Sequence, residues 1–177
     1  MAGRWNMFWL LLPLLLIIKL NSGIVFKMTN AVCESHNKSW VLIDTCRLRA
    51  LQRNKTVLNV FVNILHPSNS MKIEYEVNKR ANGYKPWIVN GEFDVCRHMR
   101  KPKDKFADLL FALIGELTSV NHPCPYNGIN YLKNFYPIAD RLPVIMPTGE
   151  YVILMKWKFY GRTQFITNVY FTFVENF

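Results

Sequence analysis

Two short runs hold the side chains best suited to chemistry, Cys96-Arg97-His98 and its mirror image His122-Pro123-Cys124. Two thiolates and two imidazoles are a sufficient donor set for tetrahedral zinc. The spacing argues otherwise, because a cysteine and a histidine one residue apart do not match a finger. An oxidising compartment also turns such cysteines into disulfides. No metal and no cofactor is therefore expected. The chain has four cysteines, Cys33, Cys46, Cys96 and Cys124. Three connectivities are open to them. Cys33–Cys46 with Cys96–Cys124 is preferred, because each pair brackets a compact piece of chain.

Catalytic constellations are missing. There is no G-x-S-x-G elbow, no H-E-x-x-H and no phosphate-binding glycine loop. His36, His66, His98 and His122 are scattered, and Asp44 and Asp94 read as lone structural hydrogen-bonders. An enzyme is not expected. The aromatic content, 14% of the chain, is the stronger signal. Trp87, Phe93, Trp157, Phe159, Phe165, Phe171 and Phe173 fall on predicted strands, and with Met71 and Met155 they suit the lining of a cavity between two sheets. The competing reading is a filled core, since interiors normally pack without voids. The candidate lining is Val60, Val62, Ile73, Tyr75, Val77, Trp87, Phe93, Met155, Trp157 and Phe171 from strands, with Leu110, Leu113 and Ile114 from a helix.

These residues need elements to hold them. Residues 1–22 read as a cleaved secretory signal, with Arg4 before the apolar run Met7 to Ile18 and small residues at Asn21-Ser22-Gly23. A run of that length is short of the roughly 20 residues a bilayer span needs. Residues 23–177 then form one domain. Loss of Arg4 and Lys19 lowers the formal charge from +10 to +8. Export excludes nucleic acid as a partner. Anionic headgroups, acidic glycans or a charged protein fit the surplus, as does an ordinary lysine-rich surface. Arg97, Arg100, Lys101 and Lys103 suit either a rim holding an anionic headgroup or a solvated linker. Asn37-Lys38-Ser39 and Asn54-Lys55-Thr56 are glycosylation sequons, at Asn37 and Asn54.

Strands are expected at 24–32, 40–51, 57–65, 71–78, 86–95, 151–160 and 164–174, with 128–138 irregular or a short strand. Met71, Ile73, Tyr75 and Val77 alternate with Lys72, Glu74, Glu76 and Asn78, the period of an antiparallel layer with one wet face. Cys33 and Cys46 are expected on adjacent strands. Residues 66–69 and 97–105 read as a turn and a charged linker. Asp104 stands where a helix N-cap is wanted. Phe106, Leu109, Leu110, Leu113, Ile114 and Leu117 then make one apolar stripe on the single amphipathic helix. The fold expected is mainly β, a sandwich with one helix.

NGYKPWIVNGEFDVCRHM, NHPCPYNG and LPVIMPTGEYVILMKW resemble a large insect group of secreted, mostly uncharacterised proteins related to the CheB chemosensory proteins and the ML lipid-recognition domains. CPYNGINYLKNFYPIADRLPV also resembles a stretch of the Niemann–Pick type C cholesterol carriers. The resemblance runs from Cys33 to the last strands. It implies an immunoglobulin-like (ML-like) antiparallel β-sandwich, a hydrophobic pocket between its sheets, and a Cys96–Cys124 bond beside the pocket mouth. The long helix between those cysteines departs from compact ML domains. The function expected is a secreted carrier or sensor of a hydrophobic small molecule: a lipid, sterol, fatty acyl chain or pheromone-like compound. A membrane receptor is a second candidate partner, and no oligomeric state follows. The alternative is a solid-cored surface-interaction protein that binds a receptor or glycan.

Overall fold

A computed structural model of the chain describes residues 24–52, 55–138 and 146–175. The proposed signal segment therefore lies outside the described residues. Eight strands follow in order: β1 (Ile24–Ser35), β2 (Val41–Gln52), β3 (Lys55–Ser68), β4 (Met71–Ala81), β5 (Gly83–Asp94), β6 (Tyr126–Phe135), β7 (Gly149–Phe159) and β8 (Arg162–Glu175). Two short helices, α1 (Val95–Arg100) and α2 (Lys105–Ile114), sit between β5 and β6. The strands form two antiparallel sheets, one ordered β1-β8-β7-β4-β5 and the other β2-β3-β6. This is the mainly β sandwich that the strand spacing predicts.

The second helix corrects the expected count. Asp94 ends β5 as an N-cap whose carboxylate accepts the Arg97 amide at 2.8 Å, so Val95 opens a helix rather than closing a strand. Six residues are too few for apolar periodicity to show, and the stretch reads as linker. Asp104 caps α2 as expected, accepting from the Ala107 amide at 2.9 Å. β3 runs on through the expected turn to Ser68, with an irregularity between Ile64 and Ser68. For 128–138, expected as irregular or a short strand, the strand alternative holds: β6 pairs with β3, with register shifts between Leu58 and Val60 and between Ile64 and Ser68.

Cys33 and Cys46 are not on paired strands. β1 and β2 are consecutive but belong to opposite sheets, and the bond between them crosses the sandwich with Cα atoms 5.9 Å apart. Cys96–Cys124, at 5.4 Å, ties α1 to the segment leading into β6. Both preferred pairings are present. A register shift between Ile43 and Thr45 also reverses the side chains of β2. Val41 is therefore buried, while Leu42, expected on the apolar face, is exposed.

The core is divided. One cluster gathers Val41, Ile64, Met71, Tyr126, Phe159 and Phe165; a second holds Val77, Met146, Tyr151, Phe171 and Phe173; a third holds Met28, Leu58 and Val169. A domain of this size ordinarily has one contiguous core. The space between these clusters contains the candidate site.

Candidate functional site: an apolar cavity between the sheets

A partly open cavity of about 240 Å³ lies between the two sheets, with α2 along one side. A single water needs only about 10–15 Å³ of such space, so this is no packing defect. The inward positions of β3 supply Leu58, Val60, Val62 and Ile64 to its wall. β4 supplies Met71, Ile73 and Val77, and β5 supplies Trp87 and Val89. Alternation of period two aims these side chains the same way, while Lys72, Glu74 and Glu76 of β4 lie on the opposite face. α2 adds Phe106, Leu109, Leu110, Phe111, Leu113 and Ile114.

Phe159 and Phe173, suited by sequence to the lining, pack in the core instead; of the thirteen candidate lining residues all are there except Tyr75 and Phe93. Both point inward but are taken up by the helices. Tyr75 stacks on Phe106 with centroids 3.6 Å apart, and Phe93 packs against Phe106, Phe111 and His98. Burial, and then the Asp104 carboxylate, push the Tyr75 phenol above its ordinary range. Alternation could tell that these two faced inward, but not what they would meet. Phe26 and Met28 of β1, Leu132 and Phe135 of β6, and Thr167 and Val169 of β8 also line it, none of them expected from sequence. The alternation of Phe165, Thr167, Val169, Phe171 and Phe173 was a signal that could have found the last pair.

The lining is almost wholly carbon, and most of its polar groups are bonded to protein. Thr118 Oγ1 donates to the Tyr131 carbonyl at 2.8 Å and accepts from the Val120 amide at 3.1 Å. Asn130 Nδ2 donates to the Gly128 and Asn127 carbonyls. The Trp157 indole donates to Thr167 Oγ1 at 3.0 Å. Cys33 and Cys46 also line the wall, so one disulfide is part of the cavity surface.

The expected basic rim lies elsewhere. Arg97, Lys101 and Lys103 surround a separate polar indentation of about 270 Å³ with Glu92, Phe93, Asp94, His98 and Asp104. Arg100 lines neither space, and its Nε donates to the Cys96 carbonyl at 3.2 Å. The acids there have structural roles. Asp94 and Asp104 are caps, and Glu92 pairs with Lys72 and Lys158, each at 3.0 Å. The Cys96–Cys124 bond consumes both thiols of the Cys/His set considered for zinc. Asn37 sits on the turn before β2, its side-chain oxygen accepting from Ser39 Oγ at 2.7 Å. Asn54 lies outside the described residues.

The outer faces differ. On the five-stranded sheet Glu74 and Glu92 stand directly opposite each other, a repulsive pairing that Lys158 relieves by bonding both. Lys156 holds the Glu74 carboxyl below its ordinary range, with Lys158 adding to the effect. On the three-stranded sheet Leu42, Leu65, Ile129 and Tyr131 are exposed, and Phe61 stacks on Tyr131.

Residues 73–153 match the model of a family described as Protein of unknown function (DUF1091). The matched stretch runs from β4 into β7 and includes both helices and the Cys96–Cys124 bond. No curated protein matches the chain.

Proposed function

We propose that this protein is a secreted carrier or sensor of a hydrophobic small molecule, bound between its two sheets. The carrying observation is the cavity, about 240 Å³ of carbon-lined space dividing the core into three clusters. Its volume falls just under the roughly 300 Å³ lower end of ordinary ligand sites, which favours one slim chain over a broad multi-chain lipid. Each methylene buried contributes about 0.8 kcal/mol, so an acyl chain binds without needing a strong polar anchor. The resemblance to chemosensory and ML lipid-recognition proteins supports the same reading. Two disulfides suit an oxidising compartment, and among the described residues no helix is long and apolar enough to cross a membrane. An anionic headgroup held by Arg97, Lys101 and Lys103 would lie outside the cavity proper.

The test is organic extraction and mass spectrometry of protein purified from the medium of secreting cells. An apolar compound at near-stoichiometric amount is expected, with a rise in Tm on adding free lipid. Leu113→Trp, which fills the cavity from α2, should abolish both. Protein that is empty in every preparation, with a Tm unmoved by lipid, would sink the proposal. It would favour a second reading, a receptor- or glycan-binding surface. The exposed apolar patch of Leu42, Leu65, Ile129 and Tyr131 motivates that alternative.

A further inference from the structure

We infer that the hydroxyl of Thr167 is the cavity's ligand-reading group, and that the guest is a hydrocarbon chain bearing an oxygen acceptor (ketone, ester, ether or alcohol) rather than a pure hydrocarbon. This rests on the carrier reading above. Thr167 is 4% exposed, and it stands on β8 between Cys33 of β1 and Met155 of β7, all three lining the cavity. The Trp157 indole nitrogen, 3.0 Å away, can only donate, so Thr167 Oγ1 must be the acceptor in that contact. The hydroxyl hydrogen is then directed away from Trp157, and among the described residues no acceptor takes it.

Thr118 provides the contrast, since both roles of its hydroxyl are filled by backbone. Trp157 is itself fixed by stacking on Phe165, with centroids 5.1 Å apart and planes 9° from parallel. The hydroxyl is thus held by a rigid neighbour, with an unspent donor in an otherwise greasy wall. A buried donor without a partner costs free energy that a guest oxygen recovers and an alkane does not. One neutral hydrogen bond corresponds to roughly tenfold in affinity.

The experiment compares dodecane with methyl decyl ketone, a pair of equal chain length, by displacement of a fluorescent fatty-chain probe. Wild-type protein should bind the ketone roughly tenfold more tightly. Thr167→Val should lower the affinity for ketone relative to that for dodecane and so remove the preference, and Thr167→Ser should restore it. A second measurement needs no variant. The carbonyl stretch of a carbon-13-labelled ketone bound to the wild type should shift to the lower frequency of a hydrogen-bonded carbonyl. Equal binding of the two probes, a preference that survives Thr167→Val, or a carbonyl at its hydrocarbon-solvent frequency would each overturn the inference and leave the carrier reading standing. Failure of both probes to bind would overturn both.

Discussion

The two long edges of the sandwich are closed by different means. Along one, β1 and β2 are joined directly by Cys33–Cys46. Along the other, β5 and β6 are terminal strands of sheets of unequal width, and the helices lie between them in sequence. α1 packs against β4 and β5, α2 stacks Phe106 on Tyr75, and Thr118 beyond α2 bridges to Leu132 of β6. Cys96–Cys124 fastens this second closure. A three-stranded sheet cannot cover a five-stranded one, and α2 supplies cavity wall from outside both sheets. The hollow thus lies between layers of unequal width, with a helix completing its wall.

The largest test of that contrast is Phe93→Ala. Phe93 is buried where β5 meets both helices, and its loss should cost about 3–5 kcal/mol in urea unfolding. A cost below about 1 kcal/mol would mean that the helical closure contributes little. Removing the disulfides one at a time sharpens the comparison. Loops of 13 and 28 residues each correspond to roughly 3–4 kcal/mol of chain entropy, so the two losses should be similar. Guest affinity should distinguish them. Serine at Cys33 and Cys46 changes the cavity wall itself, whereas serine at Cys96 and Cys124 does not.

Alkali should weaken the helical edge. Tyr126, beside Cys124, is fully buried, and burial pushes its phenol up to about 12. Its contribution is complete below the unfolded value near 10 and lost as pH rises through about 12, by up to about 3 kcal/mol. Tyr126→Phe should flatten that decline in denaturant midpoints; an unchanged slope would remove Tyr126 from it. The smallest effect is expected on the sheet face. Glu74→Gln breaks two exposed ion pairs and should cost under about 1 kcal/mol. The Glu74 carboxyl is held low in the fold, so its contribution is present above the unfolded value and lost as pH falls through the folded one. Glu74→Gln should therefore blunt acid unfolding.

Much of the fold was legible because period-two patterns such as Met71 to Val77 leave little choice of face. Which strands share a sheet was not legible. Cys33 and Cys46 flank one turn, and nothing in the residues says that the turn changes layers. A single extra residue in β2 reversed the side chains of Val41 and Leu42, and pattern counting has no means to place such an insertion. The cavity was legible only as an excess of apolar inward positions. Whether inward meant void or helix depended, for Tyr75 and Phe93, on α1 and on the path it sets for α2. Thr167 was passed over because a lone polar residue on an apolar face reads as noise until its partner Trp157 is seen.

The pair of edge fastenings also has a mechanical corollary. With a covalent tie on each flank, the layers cannot spread sideways to suit a thicker occupant, so the gap is gauged once, when the cysteines oxidise. Under the carrier reading such a sleeve screens molecules by girth and tolerates differences in length, because surplus chain can protrude from the open end.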